Sequence, residues 1–342
     1  MRTRLLIISD THGSTPFSSA KGFSLPKADV LIHCGDLTTK SELYEYEATF
    51  NMLREIDANL KLVIPGNHDG VLDTKYWDDL CEAKRRWASP FTLATWLQRP
   101  HDAHTIVQKA RHDGIHVLIG QGTYHFILAN GAKFTVYASP WTPAYGFWGF
   151  QYADVEDSST DTIGRSSSDC TDNNRLRHSF SDLQPGTDLA MTHGPPYGIL
   201  DTTHQQDRVG CRMLRECVQR ARPRVHCFGH IHEAAGYAVA TWDVQDEKKT
   251  GNVNDEIVEN VSQPGKGLLR QLSLCEQDAT HIDLEEGRQT LFINAAVMDT
   301  RLRPDQSPWI LDMDLPFPDE EHKRKANETG QLLAAVRAGE SP

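Results

Sequence analysis

The chain has 342 residues, 39% of them hydrophobic, and a formal net charge of −12. That length fits one large α/β domain or two ordinary ones with a sizeable core. The acidic balance disfavours partners held by phosphate-backbone attraction, such as long nucleic acid or an anionic membrane.

No apolar run approaches the roughly twenty residues that span a bilayer, and the N-terminal LLII is interrupted too early for a signal-peptide core. Seven cysteines without a CxxC motif make no disulfide framework and fit a reducing compartment. The expectation is a soluble, cytoplasmic protein.

RLLIIS (4 to 9), ADVLIHC (28 to 34) and LKLVIP (60 to 65) read as short, nearly continuous apolar strands of the kind buried on both faces. Each ends in polar and glycine residues: SDTHG, GDLT and GNHDG. Between the second and third, Leu43, Tyr46, Phe50, Leu53 and Ile56 recur at helical spacing. IHVLIG, YHFILA and KFTVYA follow as strands, with a hairpin signal at Asn130 and Gly131. The second half resumes with DLAMTHG, the helical GCRMLRECVQRARP, the strand RVHCFGH, and the closing strands TLFINA and PWILDMD.

Residues 1–316 are expected to form one catalytic domain, interrupted by a polar surface loop at 151–183 and an acidic insertion at 243–289 with a small apolar patch at LLRQLSLC. Residues 317–342 read as a C-terminal tail with some helix.

The strand ends carry the chemistry. Asp10 and His12 stand in SDTHG, Asp36 in CGDLT, Asn67, His68 and Asp69 in GNHDG, His193 in MTHGP, and His230 with His232 in FGHIH. All lie at carboxyl ends of strands, the edge where open α/β sheets build their sites. In extended backbone His230 and His232 share a face. Carboxylate, imidazole and amide oxygen suit a divalent metal of intermediate hardness. With His68 and Asp69 set aside, seven such ligands exceed one ion's needs, whereas two ions sharing a carboxylate would use them all.

DxH, GD, GNHD, a lone His and GHxH in this order resemble the calcineurin-like metallophosphoesterase superfamily. A narrower resemblance, carried by ISDTHG, HCGDLT, IPGNHD, YASPWTP, MTHGPP, RPRVHCFGHIHEAAG and FINAA, is to the brain and fetal metallophosphoesterase-domain-containing proteins and their fungal relatives, near the class III cyclic nucleotide phosphodiesterases. The resemblance implies a four-layer α/β/β/α sandwich with two mixed sheets. It implies two divalent ions, manganese first, with Fe, Zn, Co or Mg as substitutes. Asp10, His12, Asp36 and His232 would hold one ion, and Asp36, Asn67, His193 and His230 the other. The implied reaction is attack on phosphorus by a hydroxide shared between the metals.

Phosphoprotein phosphatases of the superfamily carry GDxxDRG and GNHE, whereas this chain has GDLTTKS and GNHDG. Thr39 replaces the Asp that orients their catalytic histidine, and their phosphate-gripping arginine is missing. The expected substrate is therefore a small phosphodiester, with a nucleotide as candidate. His68 is assigned as the acid for the leaving oxygen, with Asp69 to orient it. Trp141, Trp148 and Tyr197, beside Phe147 and Phe150, are candidates to stack on a base, and Arg208 to meet a phosphate. His33, Cys34 and His226 receive no role in the site.

Two rivals share the fold. A non-catalytic interaction module would have lost ligands, and none of the seven is lost. A nuclease would want a basic groove, against the net charge of −12.

Overall fold

Apolar residues on both faces of a strand demand cover on both sides, and β1 shows how this chain supplies it. Leu5 and Ile7 point into one buried cluster, and Leu6 and Ile8 into another. A computed structural model describes residues 1–21, 25–153, 178–242, 256–261, 270–275 and 281–337.

The strands are β1 (Arg2–Ile8), β2 (Ala28–His33), β3 (Ala58–Val63), β4 (Ile115–Val117), β5 (Gly122–Ile127), β6 (Lys133–Ser139), β7 (Thr142–Pro143), β8 (Gln151–Tyr152), β9 (Leu189–Thr192), β10 (Val225–Phe228), β11 (Gly236–Thr241), β12 (Glu256–Val261), β13 (Arg270–Ser273), β14 (Gln289–Asn294) and β15 (Trp309–Asp314). The helices are α1 (Leu43–Glu55), α2 (Thr74–Lys84), α3 (Pro90–His112), α4 (Arg212–Ala221) and α5 (Glu320–Arg337).

One sheet runs β13-β15-β1-β2-β3-β4 and the other β12-β11-β14-β10-β9-β6-β5. Both are mixed. β1, β2, β3 and β4 are parallel while β15 lies antiparallel to β1. In the second sheet β6, β9, β10 and β14 are parallel, and β5 and β11 flank them antiparallel.

Ile7, Val30, Ile32, Val136, Met191, Cys227 and Ile293 fill the space between the sheets. Tyr46, Phe50, Leu53, Trp77 and Val107 from α1, α2 and α3 cover the outer face of the first sheet. Leu214 and Val218 of α4 cover the second, against Tyr137, Phe228 and Phe292. This is the expected four-layer α/β/β/α sandwich. The parallel strands of both sheets bring their carboxyl ends, and the loops after them, to one edge.

Three segments differ from their compositional reading. Within 243–289, β12 extends the second sheet beyond β11, and β13 lies parallel to β15 with Leu272 in the inter-sheet core. These residues therefore supply an edge strand to each sheet, β12 by backbone pairing with β11 and β13 by pairing with β15 and burying Leu272.

The C-terminal tail holds α5, which docks on β5. His322 Nε2 donates to the Phe126 carbonyl at 2.8 Å, and the Thr329 hydroxyl accepts from His125 N at 3.0 Å. Of the polar loop 151–183, residues 154–177 lie outside the described residues, while Tyr152, Phe180 and Leu183 are core residues.

Candidate metal centre

The loop after β1 carries Asp10 and His12, the loop after β2 Asp36, the loop after β3 Asn67 and His68, the loop after β9 His193, and the loop after β10 His230 and His232. Three overlapping groups result: Asp10, His12 and His232; His12, Asp36 and His68; and Asp36, His193 and His230. Within each group the potential ligand atoms lie within 4.8 Å of one another. Asp36 and His12 join the groups into one elongated constellation.

Backbone carbonyls fix the orientation of the rings. His12 Nδ1 donates to Thr38 O at 3.1 Å, His193 Nδ1 to Cys34 O at 2.9 Å, and His232 Nδ1 to Asp299 O at 3.1 Å. A carbonyl only accepts, so in each neutral ring Nδ1 carries the hydrogen and Nε2 presents a bare lone pair.

Those lone pairs face other acceptors. His12 Nε2 and His232 Nε2 are 3.3 Å apart, His232 Nε2 is 3.2 Å from Asp10 Oδ1, and His193 Nε2 is 2.9 Å from Asn67 Oδ1. The Asn67 Nδ2 group is buried with no hydrogen-bond partner among the described residues. Such convergence of acceptors is stable only around positive charge, supplied by protons or by cations.

The titration behaviour agrees. Burial alone would raise the Asp10 carboxyl, but the hydrogen bond and charge of His232 hold it well below the ordinary carboxylate range. Asp36 is likewise held low, against its own burial, by His193 and His68. Burial works to lower His193 and His232, yet Asp36 pushes the first up to about 9 and Asp10 the second up to about 9. Burial takes His230 down to about 3, which keeps its ring neutral and its lone pair free. Two carboxylates, four imidazoles and an amide thus fit a divalent metal centre. Asp10, His12 and His232 would hold an ion at one end, and Asp36, His193, His230 and Asn67 at the other.

The outer layer is as specific as the ligands. Gly229 lies against Asp10, such that a Cβ there would stand 1.9 Å from Asp10 Oδ2. His33, given no role from sequence, is buried with its Nε2 3.0 Å from the Thr11 hydroxyl, between Asp10 and His12. The main-chain oxygens of Cys34, Thr38 and Asp299 have no sequence signal, since any residue offers a carbonyl.

His68 stands beside the constellation. Its ring lies 4.9 Å from that of His12 and 4.4 Å from that of Trp148, and its backbone N donates to Asp36 Oδ1 at 2.9 Å. His68 Nδ1 meets the Thr39 carbonyl at 2.7 Å. The residue standing where related phosphatases place an orienting Asp therefore contacts His68 through its main chain.

Asp69 does not orient His68. Its buried carboxylate accepts from Leu37 N, Thr38 N, Gly66 N and the Thr38 hydroxyl at 2.8 to 3.0 Å. It ties the loop after β2 to the loop after β3, because the turn at Gly66 directs the carboxylate inward. Burial, and then Asp36, push it up to about 7.

A cleft of about 680 Å³ opens onto the constellation, lined by His12, Asp36, His68 and His230 on one side and Tyr197, Arg208 and Arg212 on the other. Arg208 reaches the buried Asp201 at 3.1 Å, and the Arg212 guanidinium lies 3.8 Å from the centre of the Tyr197 ring.

Trp148 is partly exposed and leans on His68. Trp141 is not in this cleft: it packs against Phe150 and His178 at 5.7 and 5.6 Å, wedged between core clusters. Phe150 is buried, and Phe147 rests on Tyr76 at 5.1 Å. Tyr145, over the His230 ring at 5.2 Å, and Arg212 were not foreseen. Tyr145 lies in the same aromatic loop as the tryptophans, and only its contact singles it out.

Residues 3–234 match the family described as calcineurin-like phosphoesterase, and the chain belongs to it. It is a metallophosphoesterase-fold protein whose Asp and His clusters suit a divalent metal centre. It is 30% identical over 236 residues to the human metallophosphoesterase domain-containing protein 1, covering 68% of this chain and 62% of that one. A UPF0046 protein of Caenorhabditis elegans is 26% identical over 245 residues, 68% of this chain and 52% of its own. A probable rhamnogalacturonate lyase C of Emericella nidulans is 30% identical over 244 residues, 70% of this chain but 18% of the lyase. The chain spans less than two thirds of the length of each of these relatives. Among the described residues no helix is long and apolar enough to cross a membrane.

Proposed function

We propose that this chain hydrolyses small phosphodiesters, nucleotide esters foremost, with two divalent ions of which manganese is the first candidate. The observation that carries the reading is the shared constellation: three overlapping donor groups joined through His12 and Asp36, opening into a cleft of about 680 Å³. That volume is in the range of small-molecule sites.

Bound there, the ions would acidify a water and neutralise charge on the phosphate. The chain's own residues supply the rest. His68, with Nδ1–H given to the Thr39 carbonyl, would act as the acid in its doubly protonated form, passing the Nε2 proton to the leaving oxygen and keeping Nδ1–H. Tyr145 and Tyr197 offer faces for a planar base. Cys34, Cys81, Cys217, Cys227 and Cys275 are free, buried thiols, which supports an intracellular setting.

Arg208 and Arg212 in the same cleft favour a second reading, a nucleoside phosphomonoester. Both arginines already have partners, which leaves the diester first. The test is kcat/KM at saturating manganese for bis-nitrophenyl phosphate, nitrophenyl phosphate, 2′,3′- and 3′,5′-cyclic nucleotides and a phosphopeptide. Preference for a diester is expected, and preference for the monoester or the phosphopeptide overturns the substrate class. Chelation should abolish turnover and manganese restore it. His68→Asn should retain metal yet slow poor leaving groups by about 10² to 10⁴; equal rates on an alkyl leaving group would refute the acid role.

A further inference from the structure

A second recess of about 230 Å³ lies on the far side of His68. His68 and Asn67 line both this recess and the metal cleft, so the two cavities share one wall. Trp148 stands on the recess side, its ring tilted 39° to that of His68. Tyr76, Trp77 and Trp96 form the remaining aromatic walls.

The recess is also cationic. Lys40, Lys84 and Arg99 line it against one carboxylate, Glu42, which Arg99 pairs at 2.8 Å. Lys84 Nζ lies 5.4 Å from the centre of the Trp96 ring, and the Arg99 guanidinium 5.7 Å from that of Trp77. In a chain of net charge −12 this local excess of positive charge runs against the whole. Aromatic walls with cations beside them suit a flat ligand that is itself negative.

The placement of Trp148 is built into the backbone. Gly149 N donates to Asn67 O at 3.1 Å, and a Cβ on Gly149 would stand 2.6 Å from the Gly70 Cα. The Tyr76 hydroxyl donates to Phe147 O at 3.2 Å. The loop bearing Trp148 is thereby held against the loop bearing His68, and the two rings keep one spacing.

We infer that this recess is a leaving-group subsite for a flat group carrying negative charge, with Trp148 and Trp96 as stacking faces and Lys84 as the counter-charge. The inference rests on the phosphoesterase reading. A leaving oxygen protonated by His68 Nε2 lies at the shared wall, so its substituent emerges beside Trp148.

Naphthalene-1-sulfonate and neutral 1-naphthalenemethanol serve as probes, measured by equilibrium dialysis on the manganese-loaded full chain, its Trp96→Ala variant and its Lys84→Glu variant. The sulfonate should bind the parent at least about tenfold tighter than the alcohol, and Lys84→Glu should abolish that preference. Trp96→Ala should weaken both probes. Lys84 is exposed, so Lys84→Glu tests the idea even if Trp96→Ala folds poorly. Equal sulfonate binding by parent and Lys84→Glu, or no binding by the parent, overturns the subsite. In a kinetic arm, a carboxylate on the aryl leaving group of a methyl aryl phosphodiester should raise kcat/KM in the parent and not in Lys84→Glu. Sulfonate binding without ester hydrolysis would remove the proposed function alone, and hydrolysis without binding would remove the subsite alone.

Discussion

Asp10, His12, Asp36 and His230 hold φ values of 57°, 46°, 54° and 70°, so four of the ten non-glycine residues with positive φ among the described residues are candidate metal ligands. Each such conformation costs about 1 kcal/mol or more and persists only where surrounding bonds over-determine it. Asp10 N to Gly35 O, His12 N to Asp36 O, and His230 N to Asp10 Oδ1 are such bonds, at 2.9 to 3.1 Å.

Two predictions belong to this scale. Gly229→Ala would drive a methyl into Asp10 and Ser9, at 1.9 and 2.2 Å from their oxygens. Metal affinity should fall about 10- to 100-fold in a competition with a chromophoric chelator; an unchanged affinity would mean that Asp10 is not a ligand.

The second concerns His226, buried among Phe228 and Phe292, with Nε2 2.8 Å from a Thr192 hydroxyl that itself donates to Gly194 O. Its Nδ1 has no partner among the described residues, and burial takes the ring down to about 3. An unfolded histidine titrates near 6.5 and therefore binds more protons, so the stability from this neutral ring is present above about pH 6.5 and is lost as pH falls toward 3. Between pH 7.5 and 5 the parent should lose about 2 kcal/mol more than His226→Gln in urea unfolding. Parallel losses would show that His226 is not the group responsible.

At the scale of elements, strands that alternate burial between two apolar layers were legible from composition, and so was α1 from its spacing. α2 and α3 were not, although together they cover much of the first sheet. α3 runs 23 residues with Ala103, Val107, Ala110 and Arg111 as its buried positions, a narrow stripe that gives weak periodicity. Ser89 caps it through Thr92 N, and Pro90 opens its first turn, signals that a search for start residues could have found. β13 falls in the small apolar patch LLRQLSLC, which does not by itself show that a segment otherwise polar and acidic joins a sheet. Leu272 sits in the inter-sheet core. Leu272→Ala should therefore cost about 2 to 5 kcal/mol by denaturant midpoint, whereas a surface insertion would lose almost nothing.

For the whole molecule, the site is an edge property of two sheets stacked face to face. The three hydrophobic clusters stand on their own chemistry and do not pass through the ligands, so the fold should outlast the metal. Chelation is expected to leave the far-ultraviolet circular dichroism unchanged and to lower the thermal midpoint, in proportion to the lost binding energy. A midpoint that does not respond to added manganese would mean that no ion is bound in the native state.

Sequence alone determined the candidate ligand types, their order and their position at strand ends, because metal chemistry restricts residue identity and strand ends restrict place. It determined the two-faced burial of the central strands for the same kind of reason: each residue must satisfy its own environment. What only the tertiary structure decided depends on groups that every residue carries or on distances between separate loops. The carbonyl of Thr39 against His68, the inward turn of Asp69, the burial of Trp141 and the recess shared by His68 and Trp148 are all of that kind. A backbone oxygen has no letter in the sequence, and an aromatic ring looks the same whether it fills a core or lines a cleft.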